Sequence, residues 1–220
     1  LTGFAEPETV VSDRVYNLVM GGTIFYGIIV NVIMCFAFGD MLEGVNIALF
    51  LVFYFVSCVV GTIMSSSSDN PIISFIGYNL VVVPVGMVIS SVITEYGGLG
   101  SYIVFQAFLI TAAISGAMIL LSIAYPSFFA RLGGLLLGAL TGLIIIESIF
   151  IILGIPQIWT SWIAAVIFSL YIGYDYWRAQ EYPKTVDNAV DSALDIYLDI
   201  INLFIRILRI LGSSRNDSRD

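Results

Sequence analysis

The chain has 220 residues, of which 59% are hydrophobic and 11% charged, with a mean hydropathy of +1.01; this balance excludes an ordinary soluble domain and fits a polytopic membrane protein. There is no histidine, which excludes Ser/His/Asp triads, HExxH zinc sites and histidine haem ligation. A net charge of -8 with only eight Lys and Arg argues against nucleic acid, because phosphate neutralisation needs clustered basic residues, and the sign suits cation handling.

Residues 1–14 carry Glu6, Glu8, Asp13 and Arg14, lack the basic start and small-residue cleavage site of a signal peptide, and read as a polar lead. A bilayer-crossing helix needs about 20 mostly apolar residues. Six runs meet that length: 16–38, 45–64, 72–93, 101–125, 128–153 and 159–177. Cys35 and Cys58 fall inside the first two and read as small core residues, since a secreted disulfide framework would not place them there. The connections are short and carry turn chemistry: Gly39-Asp40, residues 65–71, Gly97-Gly98 with Gly100, Pro126, and Gly154 with Pro156. Within the third run Pro84 removes a backbone donor and predicts a kink that could serve as a gate hinge. In the fifth, Gly134, Gly138 and Gly142 form a ridge of small residues, over which a neighbouring backbone can approach closely. No internal repeat and no soluble domain is visible, so the expectation is one transmembrane domain over 1–220, with a polar tail at 212–220.

The seventh segment, 190–211, is long enough to cross the bilayer, but it carries charge. Asp191, Asp195 and Asp199 recur every fourth residue, which lays them along one helix face, and Arg206 continues the stripe. Such a helix lies on the membrane surface or is enclosed by other helices. Its remaining positions are apolar nearly all round, which favours a buried, central helix. Basic residues accumulate on the cytoplasmic side. With seven spans, Arg14, Arg131, Arg178 and Lys184 share the N-terminal side, opposite Arg209, Arg215 and Arg219. If the last segment re-enters instead, all eight basic residues share one side; both topologies fit the sequence.

Ionisable groups inside a bilayer are functional candidates, because each is costly unless paired, hydrated or neutralised. Asp175 closes the sixth segment in Gly173-Tyr174-Asp175-Tyr176-Trp177, and Asp199 lies within the seventh. Brought together in a low dielectric, two carboxyls cannot both ionise easily. Sharing a proton they pin two helices, whereas ionised they repel and offer oxygens to a cation such as calcium. The plainer reading makes them helix-end caps or water-facing groups. Glu147, in Ile144-Ile145-Ile146-Glu147-Ser148, is the acid at mid-depth of the fifth segment; it pairs with Arg206 or Arg209, or lines a pore. Asn17, Asn31, Asn79 and Gln106 read as hydrogen-bond partners between helices.

The run Asp195-Ile196-Tyr197-Leu198-Asp199-Ile200-Ile201-Asn202-Leu203-Phe204, followed by Ile205 to Gly212 with Arg206 and Arg209, resembles the transmembrane Bax-inhibitor-motif family, as does the Asp at the end of the sixth segment. The resemblance implies an all-α integral membrane fold of seven helices, six wrapped around the C-terminal one. It also implies a pH-sensitive calcium leak channel, of bacterial type, in which Tyr174-Asp175 and Leu198-Asp199 supply the pH-sensing and weakly calcium-binding aspartates, and Asp195 matches an acid one turn earlier in some members. Members often carry a basic residue at the end of helix two that engages the acid pair; Met64-Ser65-Ser66-Ser67-Ser68-Asp69 offers none. Specific similarity covers about the last 45 residues. The implied partners are the lipid bilayer, calcium ions and protons, the implied location the cell membrane, with calcium as permeant species and no resident cofactor. Competing readings are a proton-coupled transporter, a non-conducting interaction protein, and an intramembrane aspartyl protease. The last needs Gly-x-Gly-Asp and a later Pro-Ala-Leu, which the chain lacks; no enzymatic activity is expected.

Overall fold

The computed structural model describes residues 10–38 and 46–216. The Gly39-Asp40 turn, the start of the second segment, most of the polar lead and the end of the tail lie outside the described residues. The described chain forms eight helices: α1 Asp13–Phe38, α2 Ile47–Ser67, α3 Pro71–Glu95, α4 Tyr102–Ala124, α5 Pro126–Phe129, α6 Gly133–Leu153, α7 Ile158–Glu181 and α8 Val186–Asn216. Six of them, α1 to α4 with α6 and α7, are long and apolar enough to cross a membrane. Their outward faces carry large apolar side chains such as Phe36, Ile152 and Trp159, each more than 70% exposed, a surface suited to lipid and not to water.

Local chemistry sets most boundaries. Asn70 caps α3 by accepting from the Ile72 amide at 2.9 Å, with Pro71 at the first helical position, where its missing N–H costs nothing. α3 and α6 both end on a left-handed glycine: Gly97 (φ 94°) and Gly154 (φ 67°). In each, the amide of the residue after that glycine bonds back to a carbonyl of the last turn, Gly98 to Ile93 at 2.9 Å and Ile155 to Phe150 at 2.9 Å. Thr185 caps α8 by accepting from the Asn188 amide at 3.1 Å. Two boundaries differ from expectation. α2 continues through Ser67, because Ser65 is buried and hydrogen-bonded instead of solvated. The fifth span begins at Gly133 and not near 128, since Pro126 starts a separate single turn before it.

The described contacts group into two compact units. One comprises the chain up to Leu99 with Ala179–Tyr197. There α2 and α3 cross backbone to backbone: a Cβ on Gly61 would stand 2.6 Å from the Gly77 carbonyl oxygen, and one on Gly77 2.5 Å from that of Gly61. Pro84 lies inside an unbroken α3, where its missing N–H leaves the Leu80 carbonyl without its helical donor. Ser57 of α2 donates to that carbonyl at 2.6 Å, so the helix passes the proline with its backbone satisfied. Tyr26 of α1 donates to Asn79 of α3 at 2.8 Å, Tyr78 of α3 to the Thr23 carbonyl at 2.8 Å, and Asn31 of α1 to the Tyr197 hydroxyl of α8 at 2.7 Å. Lys184 closes the C-terminus of α7, its ammonium donating to the Gln180 and Ala179 carbonyls at 2.7 and 3.3 Å, with the Tyr16 ring 4.5 Å below it.

The second unit comprises Gly100–Arg178 and the chain from Leu198 onward. Phe129, Leu132 and Leu136 form its apolar cluster with Met118, Leu170, Tyr171, Tyr174 and Trp177. The expected glycine ridge of α6 is not a packing face: among the described residues nothing lies within 4 Å of a Cβ placed on Gly134, Gly138 or Gly142. Small residues permit a close approach without supplying a partner, and α6 turns Leu136 and Leu143 inward instead.

Candidate functional site

The site is built on about the last three turns of α7 and the middle of α8. Tyr171, Tyr174, Asp175 and Arg178 are spaced at i, i+3, i+4 and i+7, so α7 presents them on one face. The α7 backbone is fixed just before the acid, where Ser122 of α4 donates to the Gly173 carbonyl at 2.7 Å. Gly173 has no side chain because the Phe129 ring would lie 2.2 Å from its Cβ. Gly133 gives the same room to the Tyr174 hydroxyl, which would stand 2.6 Å from a Cβ there.

Asp175 and Asp199 are both 7% exposed, and their side chains lie close enough to interact with each other. Two buried carboxyls this near each other cannot both ionise easily. Arg178 adds a cation: its Nη2 lies 3.2 Å from Asp175 Oδ1, and its guanidinium sits 5.6 Å from the centre of the Tyr174 ring. Tyr171 faces the same group of charges. Asp195, one turn before Asp199 on α8, is half-buried. Two carboxyls supply at most four oxygens, fewer than the six to eight of a tight calcium site, and the described residues contain no cluster of three or more His, Cys, Asp or Glu side chains.

Glu147 of α6 meets Arg206 and not Arg209. The Arg206 guanidinium grips both carboxylate oxygens, Nη1 to Oε1 and Nη2 to Oε2, the latter at 2.8 Å, and both side chains are 14% exposed. Arg209 donates instead to Gln157 Oε1 at 3.1 Å. Such a fork orients the pair and leaves neither charge bare in an apolar setting.

Sequence reasoning passed over a second polar contact set, in the other unit. There Ser74 of α3 donates to Asp187 Oδ1 at 2.6 Å, and Ser65 of α2 donates to Asp191 Oδ1; all four residues are at most 4% exposed. Asp187 continues the four-residue spacing of the stripe, a signal lost by starting the last helix at 190. Ser65 was hidden in a serine run that reads as loop. It stands near the end of α2, where the expected basic residue is missing, while the cation beside Asp175 comes from α7 itself, as Arg178.

Comparison with known proteins places these features. Residues 8–216 match the family described as inhibitor of apoptosis-promoting Bax1. An uncharacterized protein of Helicobacter pylori is 35% identical over 130 residues, 58% of this chain and 52% of that protein. Bax inhibitor 1 of Schizosaccharomyces pombe is 31% identical over 138 residues, 61% of this chain and 50% of that protein. The inner membrane protein YbhL of Escherichia coli is 26% identical over 141 residues, 59% of each. The chain thus spans between half and three fifths of the length of these curated relatives, and neither the family nor their names indicate a catalytic activity. With six apolar helices of spanning length and a family match over nearly all its length, this chain is an integral, multi-pass membrane protein and belongs to the Bax inhibitor family.

Proposed function

We propose that the protein is a pH-sensitive passive leak for calcium, gated by Asp175 and Asp199, in the cell membrane of a bacterium. The observation that carries this reading is the meeting of two buried carboxyls, one on α7 and one on α8. While they share a proton they tie the helices together. Removal of that proton leaves two like charges in a low dielectric, which repel and open oxygens to a hard cation. Four oxygens at most make binding weak, as conduction requires. No resident cofactor takes part: protons regulate, calcium passes, and the bilayer is the surroundings.

We further infer that α8 is a seventh span, enclosed by the six apolar helices. Support comes from the burial of its first part: residues 187–194 are buried without interruption, which covers every face of two helical turns there. A lipid-facing or surface-lying helix would leave one face exposed.

Calcium flux into liposomes containing the purified protein, measured at two pH values, tests the mechanism. Flux should run down a calcium gradient without a second driving ion and rise with pH, and Asp175→Asn or Asp199→Asn should flatten that response. Wild-type pH dependence in both single variants would overturn the latch, and saturable flux needing a driving ion would indicate a carrier.

A further inference from the structure

Arg178 follows Asp175 by three residues, so both project from one face of α7. The two ends of this pair differ in exposure: the Arg178 side chain is 32% exposed and that of Asp175 8%. The guanidinium also lies one turn nearer the end of the helix at Glu181 than the carboxyl it contacts. It has a second station on the Tyr174 ring, and it occupies the last turn of α7, where the carbonyl ends favour a cation. Moving off Asp175 therefore does not strand the charge.

We propose that Arg178 is a tethered counter-cation of the carboxyl pair, holding the Asp175 oxygen that a permeating divalent cation needs and so setting the cation concentration at which the site fills. This rests on the leak reading and deepens it. A carboxylate oxygen engaged by a guanidinium is not open to calcium, and the apparent dissociation constant is the intrinsic one divided by the fraction of molecules in which Asp175 is released. The positive charge acts in the same direction, because a cation beside the site lowers its attraction for a second one. Arg178 on α7 faces the pair, with Tyr171 and Tyr174 beside it and Asp195 one turn before Asp199 on α8; Arg206, further along α8, is committed to Glu147. Lysine in place of arginine keeps the charge but loses the planar fork and the stacking on Tyr174, so it should hold Asp175 less well.

The test uses the full chain at one fixed pH, as wild type, Arg178→Gln and Arg178→Lys. Two calcium concentrations are read: that giving half-maximal flux into liposomes, and that giving half-maximal thermal stabilisation in nanodiscs, which does not depend on conduction. Arg178→Gln should lower both by about fivefold, the scale of a partly exposed ion pair, and Arg178→Lys by less. If Arg178→Gln does not fold, the shift in Arg178→Lys decides. A residue that merely finishes the helix would change stability without lowering either concentration, and that result overturns the proposal. Should Asp175→Asn and Asp199→Asn abolish the calcium response while Arg178→Gln leaves both concentrations unchanged, the counter-cation is wrong and the leak stands. A wild-type protein that neither conducts nor is stabilised by calcium overturns the leak, and this inference with it.

Discussion

The bidentate grip of Arg206 on Glu147 illustrates what a charge costs between apolar helices. Each side chain is nearly buried, so removing either leaves the other uncompensated. Glu147→Met or Arg206→Met alone should lower stability by about 3 kcal/mol, whereas the double substitution should recover most of that loss. Thermal melts of the three variants in nanodiscs check this; a double variant no better than the worse single would mean the pair is not the unit. Lys184 makes a different case, because it lies between α7 and α8 and holds carbonyls instead of a carboxylate. Burial pushes its ammonium below the usual lysine range, while Asp13 and Glu181 act in the opposite direction. A folded value below the unfolded one means that the unfolded chain binds more protons between the two, so stability gains as pH rises through that window toward about 10.4. Lys184→Met should abolish that alkaline gain and cost about 1 kcal/mol from the lost cap. Melting temperature against pH for the two proteins reads both effects.

Among the elements, α3 has the most to reconcile. It carries a proline in its interior, yet it runs unbroken because α2 supplies a hydroxyl where the proline lacks an N–H. This makes a non-additive expectation. Ser57→Ala should cost about 1 kcal/mol, within the range of hydrogen bonds between membrane helices, but much less in a Pro84→Ala background, where residue 84 again donates to Leu80. A double-mutant cycle by thermal melting measures the difference; equal costs in both backgrounds would show that Ser57 acts in some other way. The neighbouring Gly61 and Gly77 bring the two helices close enough for this reach.

For the whole molecule, the course of α8 decides how the acids meet the two sides of the membrane. If α8 crosses, the exposed positions Glu181, ending α7, and Ser214, near the end of α8, lie on opposite sides. Glu181→Cys and Ser214→Cys, each made with Cys35 and Cys58 replaced by alanine, should then react with an impermeant maleimide from opposite faces of oriented vesicles. Labelling from the same face would establish the re-entrant course, under which all eight basic residues share one side.

The six apolar spans were legible in the residues because hydropathy is a property of each side chain summed over a window, independent of its neighbours in space. Asp175, Asp199 and Glu147 stood out for the same reason, as charges in apolar runs, and the residues around the first two also carried the family resemblance. The pairings were not legible. Nothing along the chain distinguishes Arg206 from Arg209 as the partner of Glu147, places Ser65 against Asp191, or makes Gly61 with Gly77 the close approach in preference to Gly134, Gly138 and Gly142. Most of these helices are apolar on every side, so no periodicity marks the face that turns inward. Which side chains meet then depends on the rotation and register of one helix against another distant in sequence, and packing, together with the need to satisfy each buried polar group, settles those only in the folded chain.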